Sequence, residues 1–164
     1  MTEPNPVETG WKIHSALVDW TGKVDTKASF ALTIEAALLA GVVTLSGTDR
    51  VFDSPSGWAV VWYVLGVAIL VASVLCAAWV VRPRLRSANL TSESKTNFIY
   101  FGHLRLMTPD AIRSHLEESD ILSALSQQLA EMSKIAWTKH RLVQVSITLA
   151  PIGVVCLGIC ATYK

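Results

Sequence analysis

The chain has 164 residues, of which 51% are hydrophobic and only 16% charged, with a formal net charge of +1 and a mean hydropathy of +0.41. These values exclude an ordinary soluble domain of this size, and a second independent domain is not expected. They fit a small all-α integral membrane protein with several spans.

Residues 1–27 form an arm that carries Glu3, Glu8, Asp19 and Asp25 and has no basic segment ahead of a short apolar core. It does not resemble a cleavable secretory signal, so the first apolar stretch is expected to stay as an anchor. Within the arm Ile13, Leu17, Trp20 and Val24 recur at helical spacing, with Lys12, Asp19 and Lys23 elsewhere. This predicts an amphipathic helix that lies along the inner leaflet or covers a neighbouring polar segment.

Three apolar stretches follow, at 28–46, 58–81 and 142–162. Each is long enough to cross a bilayer, which takes about 20 residues at about 1.5 Å rise per residue. The first two are joined by a short loop, 47–57, whereas a long polar insert, 82–141, separates the last two. The arm holds Lys12, Lys23 and Lys27, and the insert holds Arg82, Arg84, Arg86, Lys95, Arg105, Arg113, Lys134, Lys139 and Arg141; the short loop has Arg50 beside Asp49 and Asp53. The positive-inside rule puts arm and insert in the cytoplasm, and the short loop and Lys164 outside. Trp58, Trp62 and Tyr63 at the outer interface, with Trp79 and Trp137 at the inner one, agree with that orientation.

Inside the insert, Arg82 to Asn97 reads as a stop-transfer anchor and a polar linker. The aromatic run Phe98 to Phe101 has two readings, a packed core segment or a face on which a base stacks. Thr108-Pro109-Asp110 supplies an N-cap, a proline at the first helical position and an acid in the first turn, predicting a helix from Pro109 to about Glu118. A second helix is expected to begin near Ser119. Its apolar line Leu122, Leu125, Leu129, Met132 and Ala136 meets no Gly or Pro before Pro151, so it is expected to run unbroken into the third span.

Glu35 is the polar residue of most consequence, because the apolar run after it is too short to span alone and draws the carboxyl below the headgroups. A buried charge there needs a partner or a proton. Ser73, Ser146 and Thr148 fall at similar depth and are candidates to bond it, lining a subunit contact or a conductive defect, or clamping helices together. Pro151 frees the Ile147 carbonyl. Ala37 with Gly41, and Ala68, Ala72 and Cys76, offer small faces for close approach, within one chain or in a homo-oligomer.

Enzymatic signatures are absent: no Gly-rich phosphate loop, no metal-ligand spacing and no nucleophile elbow appears, so catalysis is not expected. His14, His103, His115 and His140 are scattered and read as surface or packing residues. Cys76, Cys156 and Cys160 lie in apolar stretches and read as packing residues rather than disulfides or metal ligands. Lys134, Lys139, His140 and Arg141 surround the inner end of the third span, where anionic lipid headgroups or an anionic small ligand would meet them.

The segment Ala16-Leu17-Val18-Asp19-Trp20, then Asp25-Thr26-Lys27-Ala28-Ser29, resembles the opening of the Pycsar transmembrane effectors, membrane-acting partners of bacterial pyrimidine cyclases in antiphage defence. Leu125-Ser-Gln-Gln-Leu129, Ser133-Lys-Ile135 and Lys139-His140 are similar to that family's closing helical block. His140 departs from it, since a Tyr is expected after the lysine.

The resemblance implies an effector activated by a cyclic pyrimidine mononucleotide, cyclic UMP or cyclic CMP, from a partner cyclase. It implies impairment of the bacterial inner membrane and abortive infection by cell death, with no cofactor and no nucleic-acid partner. A phosphate needs an Arg or Lys, and a base needs a stacking or bonding partner. Lys27, Arg105, Lys134, Lys139, Tyr100 and Phe101 are the candidates, with Asp25 to accept from the ribose or base or to pair with Lys27 or Lys139. The alternatives are a ligand-independent accessory subunit of a membrane complex and a holin-like pore.

Overall fold

The computed structural model describes residues 5–83 and 97–163. The linker read from Arg82 to Asn97 therefore falls mostly outside the described residues, as do Arg84, Arg86, Lys95 and Lys164. Every described element is helical: α1 Pro6–Leu45, α2 Trp58–Val81, α3 Phe101–Leu104, α4 Pro109–Glu118 and α5 Ile121–Thr162. As expected from the sequence, three of them, α1, α2 and α5, are long and apolar enough to cross a membrane.

The starts of α1, α4 and α5 follow from capping chemistry. Asn5 Oδ1 accepts from the Val7 amide at 3.0 Å, with Pro6 at the first helical position of α1. Thr108 Oγ1 accepts from the Ala111 amide at 3.3 Å ahead of Pro109, so α4 has the predicted bounds. The start of α5 falls at Ile121, two residues past the expected Ser119. Asp120 is the reason: its Oδ1 accepts from the amides of Leu122 and Ser123 at 3.0 and 3.2 Å. Helical geometry continues on both sides of Pro151.

The chain divides into two compact units, residues 1–22 with 83–137 and residues 23–82 with 138–164. In the first, α1 packs against α5 where Gly10 leaves room: a Cβ there would stand 2.5 Å from Leu125 Cδ2. Phe98 is buried with its ring stacked on His115, centroids 5.4 Å apart. Tyr100 lies over Gly102 and against the rings of Phe101 and His103. The aromatic run thus packs at Phe98, ends as extended chain at Tyr100 and turns into α3 at Phe101, which stays exposed.

The second unit is a bundle of three long helices. Its buried positions are Val24, Ala28, Glu35 and Val42 on α1, Ala59, Gly66, Leu70, Ser73, Ala77 and Val80 on α2, and Lys139, Val143, Ser146, Gly153, Cys156, Leu157 and Cys160 on α5. Steps of seven and four residues along each helix are the seam of left-handed, knobs-into-holes packing. Side chains off the seam, such as Phe30, Ile34, Val64, Leu75 and Val155, are apolar and point outward, where hydrocarbon rather than water suits them.

That seam corrects the amphipathic face expected for the arm. Leu17 and Val24 are buried, but Ile13 and Trp20 are 47% and 54% exposed. The buried line runs instead through Gly10, Leu17 and Val24, and a glycine carries no apolar signal for a periodicity to register.

The loop between α1 and α2 is more than a connector. The Phe52 amide donates to the Leu45 carbonyl at 2.8 Å, which tucks the Phe52 ring into the bundle beside Tyr63, and Tyr63 Oη stands 2.9 Å from Ser46 Oγ. The reversal uses positive-φ backbone at Asp49, Ser54 and Gly57, with φ of 59°, 49° and 55°.

Candidate functional site

Two polar layers interrupt the apolar bundle of the second unit. In the deeper one, Glu35 is 2% exposed and Ser73 and Ser146 are fully buried. Glu35 Oε1 lies 2.6 Å from Ser73 Oγ and 2.6 Å from Ser146 Oγ, and Ser73 Oγ lies 2.9 Å from the Ser146 carbonyl oxygen. One side chain from each long helix therefore meets at one point. Glu35 stands ten residues before the end of α1, about 15 Å along the axis, which is near mid-depth of a hydrocarbon core about 30 Å thick.

Thr148, expected in this cluster, is exposed and its hydroxyl donates to the Gln144 carbonyl at 2.7 Å. Two residues along a helix from Ser146 is about 200° of rotation, so depth alone does not bring it to Glu35. Ser73 and Ser146 share the seam with Glu35 and Thr148 does not.

The second layer is an ion pair. Lys139 Nζ donates to Asp25 Oδ1 and Oδ2 at 2.6 and 2.7 Å, with the lysine side chain 11% exposed and the aspartate 40%. This is the Lys139 alternative of the two pairings weighed for Asp25. The lysine is covered on all sides except toward its counterion, and the aspartate opens to the surroundings. Val24, Ala28, Val80 and Val143 form an apolar cluster in the same unit.

The remaining candidates are spread over both units. Lys27 is exposed in the second. Tyr100, Phe101, Arg105 and Lys134 belong to the first, where Phe101 and Arg105 are exposed one turn apart and Lys134 pairs with Glu131 at 2.8 Å.

Sequence reasoning missed a close backbone approach in the bundle, Gly66 of α2 against Gly153 of α5. A Cβ on Gly66 would stand 2.8 Å from Leu157 Cγ, and one on Gly153 would stand 2.8 Å from Leu70 Cγ. The small faces singled out from sequence are elsewhere. Ala68 and Ala72 point outward, Cys76 is half-buried, and Ala37 and Gly41 line an open apolar groove of about 650 Å³ between α1 and α5.

Three apolar helices holding a carboxyl and an ion pair at their seam define a multi-pass helical membrane protein. The Pycsar effector protein domain matches residues 9–163, nearly the whole chain, and the chain belongs to that family. It is thus a Pycsar effector of antiphage defence, in a family that implies a cyclic-nucleotide signal from a partner cyclase. No curated protein and no solved structure matches the chain.

Proposed function

We propose that this protein is switched on by a cyclic pyrimidine mononucleotide, cyclic UMP or cyclic CMP, and then impairs the bacterial inner membrane, killing the infected cell before phage release. It acts without catalysis of its own. The observation that carries this reading is the family match across residues 9–163 on a chain whose three long helices meet at polar side chains inside an apolar bundle.

Lys139 is the proposed partner for the ligand's phosphate. It is a cation already presented to an anion, Asp25, with little other exposure, so a phosphate exchanging for the carboxylate keeps the charge paired while freeing α1 from α5 at that level. Lys27, and separately Tyr100, Phe101, Arg105 and Lys134, remain candidates for further ligand contacts.

The orientation proposed is N-terminus inside, supported by the concentration of Lys and Arg on the arm and insert against Arg50 alone in the short loop. Homo-oligomerisation is proposed for the active state, supported by the outward Ala68 and Ala72 and by the open groove at Ala37 and Gly41.

Titration calorimetry of the detergent-solubilised protein against cyclic UMP and cyclic CMP, with cyclic AMP as control, tests the ligand. Saturable binding of a pyrimidine nucleotide and not of cyclic AMP supports the reading. In cells, depolarisation is expected only when a pyrimidine cyclase is co-expressed. Depolarisation on expression alone would mean a holin-like pore, and none under either condition an accessory subunit.

A further inference from the structure

The layer around Glu35 contains more hydrogen bonds than its serines have protons. Three short contacts join Glu35 Oε1, Ser73 Oγ, Ser146 Oγ and the Ser146 carbonyl oxygen. Each hydroxyl donates once, so Ser73 and Ser146 supply two protons for three contacts. An ionised carboxylate and a carbonyl only accept, and add none. A carboxylic acid with its proton on Oε1 completes the set: Glu35 donates to Ser73 Oγ, Ser73 donates to the Ser146 carbonyl, and Ser146 donates back to Glu35 Oε1.

The other carboxyl oxygen points to the same answer. Glu35 Oε2 is buried and has no hydrogen-bond partner among the described residues. A lone carbonyl oxygen of a neutral acid is tolerable there, whereas half of a carboxylate charge facing hydrocarbon without a donor is far more costly.

Among the described residues no cation stands on this seam at this level either. On α5 the cation nearest in sequence, Arg141, is five residues before Ser146, about 7.5 Å along the axis and about 140° around it, and is exposed; Lys139, seven residues before and about 10 Å along the axis, is held by Asp25. The ionisable groups that α2 and α5 bring to the span are Tyr63, Cys76, Cys156 and Cys160, none of them a base. A metal ion is not the occupant, because oxygen pairs 2.6 Å apart are already closed by hydrogen bonds.

We propose that Glu35, Ser73 and Ser146 form a proton-binding site, whose occupied form clasps α1, α2 and α5 together. When the proton passes to water admitted between the helices, Ser73 loses its donor and a carboxylate charge is left at the seam. The clasp then opens, since a charge at that depth is stable only in contact with water or a new partner. The site rests on the hydrogen-bond geometry alone and involves no nucleotide, so it stands or falls separately from the effector reading.

Infrared difference spectroscopy of the whole protein in lipid vesicles at neutral pH, wild type minus Glu35→Gln, tests it, because the unaltered carboxyl groups cancel. The expected result is one carboxylic-acid carbonyl band, shifted by deuterium exchange. Ser73→Ala is expected to move that band to higher frequency, because the acid O–H loses the hydroxyl to which it donates. A pair of carboxylate bands in place of the acid band, or an acid band that Ser73→Ala leaves unmoved, would overturn the proposal.

Discussion

Gly66 of α2 and Gly153 of α5 meet backbone to backbone: a Cβ on Gly66 would stand 3.0 Å from the Gly153 carbonyl oxygen, and one on Gly153 would stand 3.1 Å from that of Gly66. The contact sets the spacing of two helices whose polar groups touch two turns away, at Ser73 and Ser146. Gly66→Ala and Gly153→Ala are each expected to destabilise the bundle, because overpacking costs about 1–3 kcal/mol against a gain of about 1 kcal/mol in helix propensity. Gly41 and Gly158 have open space where a Cβ would go. Gly41→Ala and Gly158→Ala are therefore expected to be neutral or stabilising, and thermal unfolding in detergent, followed by circular dichroism, ranks the four.

The Asp25–Lys139 pair predicts an asymmetric response. Asp25→Asn leaves a covered ammonium facing an amide, a loss of about 2 kcal/mol on the scale of charged hydrogen bonds. Lys139→Met removes the covered charge and leaves an aspartate 40% exposed, which water can solvate. It is expected to cost less, and the double variant is expected to lie close to Lys139→Met alone. Unfolding midpoints for the four proteins give the coupling directly.

The same pair separates ligand affinity from stability. With Lys139 as the phosphate partner, Asp25→Asn removes the competing anion and strengthens nucleotide binding, whereas Lys139→Met weakens it. A charged hydrogen bond of about 1.5–3 kcal/mol corresponds to roughly 10- to 100-fold in dissociation constant. Titration calorimetry on both variants reads the sign, and equal effects of the two would remove Lys139 from the binding site.

How much of this was legible in the sequence depended on the kind of signal. Capping residues act within one turn, so Thr108, Pro109 and Asp110 gave α4 to the residue. Three apolar stretches gave the long helices, since length against bilayer thickness is a one-dimensional test. Glu35 was visible because a carboxyl in an apolar run has no inexpensive environment. Choosing its partners required the angular position of each residue on its helix as well as its depth, which admitted Ser73 and Ser146 and misplaced Thr148. The Gly66–Gly153 crossing and the bed that Gly10 offers to Leu125 were not legible, because an absent side chain leaves no mark in a hydrophobic pattern. Phe52 was hidden for a related reason: one aromatic in a polar loop gives no periodicity, and only the hydrogen bond back to Leu45 turns it inward.

Glu35 yields the prediction that joins fold to activity. Glutamine keeps the shape, carries donors for the two hydroxyls and cannot ionise, so Glu35→Gln imitates the proton-loaded clasp. Cells expressing it are expected to stay polarised and to remain so when a pyrimidine cyclase is supplied, since the step that opens the clasp is gone. Leucine offers no partner, and Glu35→Leu leaves Ser73 bonded to the Ser146 carbonyl while α1 loses its hydrogen bonds to α2 and α5. Side-chain hydrogen bonds between membrane helices are worth about 0.6–1.7 kcal/mol, so the closed state weakens about 3- to 20-fold relative to the open one. Basal depolarisation without cyclase is expected to rise by that factor, read with a membrane-potential dye at matched expression. Should both variants depolarise like wild type on supply of the cyclase, Glu35 would be a packing residue and opening would lie elsewhere.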